Sequence, residues 1–360
     1  MKPFNVGAMR PAIDGARLSA ANDLVHRTLA QHGLVPQSGP AGAQKIPVPP
    51  SLNGMLGKLT DPIGTASAFD MAIPKGAQFK QDSFTCPAGG RAYRTYIPAS
   101  ASKGITGVVM MLHGCTQTPE DFATGTGMNL LAEKHRFLVV YPAQSRGNNA
   151  QSCWNWFSKG DQRRGKGEPA ILAGIASKVT NAHGIGRDQT FVAGLSAGAA
   201  MAVILGETYD DVFAAVGAHS GLPRGAAKDV PSAFAAMAGN SLDPDTQPGT
   251  SGTPRTIVFH GTADTTVHPS NGAAIARRAM DSNARQSIET MTNGDSAGRR
   301  FTRIVFSDLQ GKPIVENWVI EGQGHAWSGG QAAGTYTDTQ GPDASAEMIR
   351  FFFDTTDKDL

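Results

Sequence analysis

The stretch TFVAGLSAGAA, residues 190–200, joins an apolar run to an alanine-rich run through Gly194-Leu195-Ser196-Ala197-Gly198. A strand that turns this sharply into a helix puts the residue at the turn, Ser196, in a strained backbone conformation with its hydroxyl exposed at the helix N-terminus. Glycines two positions to either side leave room for the close approach of strand and helix. The helix dipole at that end favours developing negative charge. G-x-S-x-G alone is a weak pattern in a chain with 43 glycines. The strand before it and the helix after it are what make Ser196 a candidate nucleophile.

Working outward, Gly107–Leu112, Phe137–Tyr141, Phe213–Ala218 and Thr256–Phe259 are short apolar runs of the same kind, and Arg91–Pro98 alternates like a strand. Helical stretches lie between them, at 120–135, 169–183 and 197–208, with a further helix at 343–353. Buried strands alternating with helices predict a mostly parallel sheet flanked by helices. Ile304–Leu309 and Ile314–Ile320 flank the turn Gln310-Gly311-Lys312-Pro313 and predict a late hairpin. The expectation is an α/β-hydrolase fold over residues 76–360. Before it, residues 1–75 read as an amphipathic helix at about 8–33 (Met9, Ile13, Ala16, Leu18, Leu24, Val25, Leu29) followed by a Pro/Gly/Ala-rich connector at 35–68.

A serine hydroxyl needs a general base, and the base needs an orienting acid. In this fold the chain order is Ser, acid, His. The strand Thr256–Phe259 runs into a loop that carries Asp264. His325 follows the strand Glu316–Ile320 in the glycine-rich segment GQGHAW, residues 322–327. Asp338 and Asp343 are alternative acids, but neither directly follows a strand. His219 follows a strand too soon after Ser196 to fit the order. His260 reads as a loop residue bonded to backbone, and His113 as a brace of its loop. That loop, LHGCTQ at 112–117, follows a strand and would supply one oxyanion amide, Cys115, to join that of Ala197. Each such donor is worth about 3 kcal/mol in the transition state. Cys115 as a thiol nucleophile would need its own adjacent base, whereas Ser196 already has the turn.

Composition narrows the alternatives. A net charge of +2 with no block of like charge argues against nucleic acid, and Arg163, Arg164 and Lys166 read as a solvated loop. No run of about 18 apolar residues predicts a membrane span. The N-terminus shows no apolar signal core, so the chain is expected in the cytoplasm, or outside it after loss of a leader. Three cysteines do not make a disulfide framework. A bond between Cys115 and Cys153 would fix the oxyanion loop against the segment CWNWF and leave Cys86 free. The reaction expected of this set needs no metal or organic cofactor. Peptidase or acyltransferase chemistry on the same residues, and a binding protein that merely inherits the fold, are the rival readings. Oligomeric state is not legible.

The set LHGCTQ (112–117), YPAQ (141–144), CWNWF (153–157), GLSAGAAM (194–201), HGTADTTVHP (260–269) and GQGHAWSGG (322–330) resembles the poly(3-hydroxybutyrate) depolymerase family of esterases, which includes feruloyl- and acetylxylan-esterase-like members. The resemblance covers about residues 85–355. It implies an α/β-hydrolase domain with a Ser196–Asp264–His325 triad, an oxyanion hole at Cys115 and Ala197, and an ester or polyester substrate. Trp154, Trp156 and Trp327 are candidate walls of the substrate pocket, with His113 and Gln117 beside them. Secreted depolymerases of this kind resemble a catalytic domain linked to a polymer-binding domain. No such module is visible here, which points to soluble, amorphous or oligomeric esters.

Overall fold

The computed structural model describes residues 73–242, 254–282 and 287–354. The helix expected at about 8–33, and the connector up to 68, lie outside these residues. Ten strands form one sheet: β1 (Gln78–Cys86), β2 (Gly89–Ile97), β3 (Val108–Leu112), β4 (Leu138–Pro142), β5 (Thr190–Leu195), β6 (Ala215–His219), β7 (Arg255–Gly261), β8 (Ile288–Ser296), β9 (Arg299–Ser307) and β10 (Pro313–Ile320). Their order is β1-β2-β4-β3-β5-β6-β7-β10-β9-β8. The central block from β4 to β10 is parallel. Antiparallel pairs close both ends, β1–β2–β4 on one side and β10–β9–β8 on the other. The structure therefore has the α/β-hydrolase architecture.

The apolar runs form these strands because both faces are covered. Every residue of β3, β4, β5 and β6 is buried. Alternate side chains enter two cores. Val108, Met110, Val192 and Val258 pack with the helices α3 (Gly167–His183) and α4 (Ala197–Thr208), and with Ala233 and Ala236 of α5 (Val230–Met237) and Ile275 of α6 (Ser270–Ser282). Val109, Met111, Phe191, Ile257 and Phe259 pack on the other face, against α1 (Pro119–Thr126), α2 (Met128–His135) and α7 (Ala344–Phe353).

The helix expected over 120–135 is two helices. Gly127 ends α1 in the left-handed conformation, φ 63°, and starts α2 at a new angle. The late hairpin is present as β9–β10. Strands β1 and β8, and helices α5 and α6, are additions to the sequence reading. Two short strands, β11 (Trp327–Ser328) and β12 (Thr337–Asp338), pair beyond the sheet.

Candidate active site

At the end of β5 the chain enters α4 through Ser196, with φ 58° and ψ −120°. That conformation is rare for a residue with a side chain and persists only where neighbours enforce it. The Ser196 N–H donates to the His219 carbonyl at 2.9 Å, which extends the β5–β6 ladder, while the Ser196 carbonyl accepts from Ala200 and starts the helix. The flanking glycines are sterically required. A Cβ on Gly194 would lie 2.5 Å from the Gly198 carbonyl carbon, and one on Gly198 would lie 2.0 Å from the Leu112 oxygen. The elbow is thus wedged against the end of β3, beside the loop that carries Cys115.

Asp264 lies in the loop after β7 and His325 in the loop after β10, two neighbouring strands whose carboxyl ends share one rim. His325 Nδ1 is 2.8 Å from Asp264 Oδ2. The other carboxylate oxygen accepts the N–H groups of Thr266 (3.0 Å) and Val267 (2.9 Å). His260 Nε2 donates to the Val267 carbonyl at 2.8 Å and stands 3.4 Å from Asp264 Oδ2. Burial alone would raise the Asp264 pKa. The hydrogen bonds from His260 and His325, the His325 charge and the Val267 amide outweigh it and hold the carboxyl well below the usual range. An ionised Asp264 can only accept, so the proton of its bond sits on His325 Nδ1 and Nε2 is left as the basic nitrogen. Among the described residues no hydrogen bond joins the Ser196 hydroxyl to His325. Such contacts are often loose before substrate binds.

His219 connects the two halves. Fully buried, it accepts the Ser196 N–H at its carbonyl and the Ser328 N–H at Nε2 (3.0 Å), and its ring stacks on Trp327 with centroids 5.2 Å apart. It is a pin between the elbow and the His325 loop, not a base. Burial, with His260 and His325 nearby, lowers its pKa to about 3. The alternative acids are committed elsewhere: Asp338 pairs with Arg299 at 2.6 Å, and Asp343 caps α7.

The amides of Cys115 and Ala197 have no acceptor among the described residues. Ala197 is the first residue of α4, where the N–H has no partner within the helix. The loop of Cys115 is held on both sides. The Gly114 N–H donates to Gln117 Oε1 (2.9 Å), and the Gly114 carbonyl lies 2.7 Å from His113 Nδ1. Cys115 is disulfide-bonded to Cys153, with a Cα–Cα distance of 4.2 Å, and Cys86 is free.

The residues expected to line the substrate pocket are mostly interior. Trp154 and Trp327 are 0 % and 1 % exposed, and Trp156 is buried edge-on against Phe157. Trp154 Nε1 donates to the His113 carbonyl (3.1 Å), and Trp327 Nε1 to Ser345 (3.1 Å). Indoles satisfy their one polar atom when buried, so these rings support the site from behind. Gln117 is likewise spent on Gly114, Asp121 and Thr335, and His113 on Gly114 and Gln144. Aromatic type alone does not separate a wall from a buttress. Tyr336, missed in the sequence, stands half-buried at the rim with its hydroxyl 3.2 Å from Thr116 Oγ1. A cleft of about 360 Å³ lies beside the same loop, lined in part by Arg94, Thr116, Glu120, Gln144 and Arg146.

The chain is similar to several known esterases and depolymerases. A poly(3-hydroxyalkanoate) depolymerase C from Paucimonas lemoignei is 35 % identical over 228 residues, covering 61 % of this chain and 54 % of that protein. Acetylxylan esterase A from Aspergillus oryzae is 28 % identical, covering 55 % of this chain and 69 % of its own length. A poly(3-hydroxybutyrate) depolymerase from Ralstonia pickettii is 29 % identical over 65 % of this chain and 51 % of that protein. The chain therefore spans about half the length of the two depolymerases. Among solved structures, an acetyl xylan esterase from Aspergillus awamori superposes with a TM-score of 0.61 at 19 % identity, covering 77 % of this chain and 98 % of that one, and so shares the fold. The family model described as Esterase PHB depolymerase matches residues 91–303, more than half of the sequence, and the chain belongs to that family.

Proposed function

We propose that this chain is a carboxylic-ester hydrolase that works through an acyl-enzyme on Ser196. The observation that carries the reading is the Asp264–His325 pair, at 2.8 Å, on the rim where the strained Ser196 turn also emerges. His325 Nε2 takes the Ser196 proton as the hydroxyl attacks the ester carbonyl, and ionised Asp264 stabilises the imidazolium through Nδ1. The Cys115 and Ala197 amides receive the oxyanion. His325 then protonates the leaving alcohol, and water activated by the same imidazole releases the acid. Hydrolysis of p-nitrophenyl butyrate is expected from the wild type, with a fall of about a thousandfold or more in Ser196→Ala. A fluorophosphonate should label the wild type alone. Equal rates in the two proteins would end this reading.

The favoured substrates are polyhydroxyalkanoate-type oligomers or polyesters and other short-acyl esters, supported by the family. Acetylxylan or feruloyl esters are the second reading, favoured by the acetylxylan esterases among the relatives. Rates on oligo(3-hydroxybutyrate), acetylated xylan, methyl ferulate and a peptide panel separate these, and faster peptide cleavage would favour a peptidase. The Cys115–Cys153 bond supports an oxidising compartment as the place of work. No helix among the described residues is long and apolar enough to cross a membrane.

A further inference from the structure

Glu168 is a buried carboxylate that the reaction does not use. It is the second residue of α3 and is 2 % exposed. Oε1 accepts from Arg91 Nη2 (3.0 Å), from Asn155 Nδ2 (2.9 Å) and, by a short bond, from Gln144 Nε2; Oε2 accepts the Asn155 N–H at 2.7 Å. Four donors converge on one carboxylate, more than pairing with Arg91 alone requires.

One of these donors, Gln144, leads on to the oxyanion loop. Gln144 also gives its side-chain N–H to the Cys153 carbonyl (2.9 Å), and its backbone N–H donates to His113 Nε2 (3.1 Å). Because Nε2 accepts, the His113 proton sits on Nδ1, which donates to the Gly114 carbonyl at 2.7 Å. That carbonyl and the Cys115 N–H are the two ends of one planar peptide unit, so holding the oxygen fixes the direction of the N–H. Donation to the oxygen also polarises the N–H. Burial keeps His113 neutral by lowering its pKa to about 4, so the tautomer is stable in use.

The geometry points to Glu168 as the positioning residue of the Cys115 oxyanion donor, acting through Gln144 and His113. This rests on the ester-hydrolase reading of the site. Glu168→Gln puts an amide donor among donors, and Gln144→Met cuts the side-chain tie while keeping the backbone bond to His113. With p-nitrophenyl butyrate, each variant should lose about 10- to 100-fold in kcat per fluorophosphonate-titrated site, with KM within about twofold. A trifluoromethyl ketone, whose serine adduct places an oxyanion at the two amides, should bind more weakly by the same factor as the loss in kcat/KM. The double variant should be little worse than either single one. Titrating sites removes misfolded protein from the comparison, and Gln144→Met decides the matter if Glu168→Gln does not fold. A folded variant with kcat and inhibitor binding within about twofold of wild type, or a loss confined to KM, overturns the inference. An inactive wild type would instead sink the hydrolase reading itself.

Discussion

At the scale of single residues, the site depends on positions where a side chain has no room. A methyl on Gly198 meets the backbone oxygens of Leu112 and His113 at 2.0 and 2.6 Å. Backbone cannot rotate away as a side chain can, so Gly198→Ala must push apart α4 and the loop that carries Cys115. We expect it to cost about 3 kcal/mol or more in denaturant unfolding and to lower kcat. Gly324, beside His325, has open space where its Cβ would be. Gly324→Ala should shift stability by less than about 0.5 kcal/mol. Equal costs in the two variants would show that the wedge at the elbow is not tight. The requirement at Gly198 was legible, because G-x-S-x-G between a strand and a helix carries its own steric reason. The work done by His219, Gln144 and Glu168 was not. A buried polar side chain leaves no local periodicity, and most of its partners lie 9 to 109 residues away.

At the scale of elements, legibility followed burial. Strands β3 to β7 read as apolar runs because helices cover both faces. In β1 and β8 most residues are exposed, so neither face imposes an alternation that a sequence can show. The break at Gly127 was hidden because the apolar positions continue through it. The disulfide is a different kind of element. It ties the loop after β3 to the loop after β4 across 38 residues of chain. Closing a loop of that length removes unfolded-state entropy worth about 4 kcal/mol. Reduction, or Cys153→Ser, should lower the unfolding free energy by up to that amount, read from guanidinium midpoints with and without dithiothreitol. Because Cys115 holds an oxyanion amide in our reading, kcat should fall under conditions where the protein is still folded. Full activity in reduced, folded protein would show that the loop holds its shape without the bond.

At the scale of the whole molecule, two buried imidazoles stand at the ends of different strands. His113 follows β3 and His219 ends β6; both are buried at 1 % or less. Burial is the main cause of both low pKa values, about 4 for His113 and about 3 for His219, each down from 6.5. A histidine whose folded pKa is depressed binds its proton more readily in the unfolded chain. The stability it confers is therefore complete above 6.5 and drains away as pH falls towards the folded values. Two such groups give a slope of up to about 2.7 kcal/mol per pH unit. Glu168, Glu207 and Glu347, whose pKa values burial raises, oppose part of that slope near and above the ordinary carboxylate range. Asp264, held low, adds to it only in stronger acid. Melting temperatures should fall steadily from about pH 6.5 to pH 4, with a shallower fall in His219→Gln. A flat profile over that window would mean that neither ring is as dry as its surroundings require. Protonated His219 could no longer accept the Ser328 N–H, and protonated His113 could no longer accept from Gln144. The same acid range should thus loosen the His325 loop and the oxyanion loop before the sheet unfolds, and the loss of kcat should run ahead of the loss of far-UV circular dichroism.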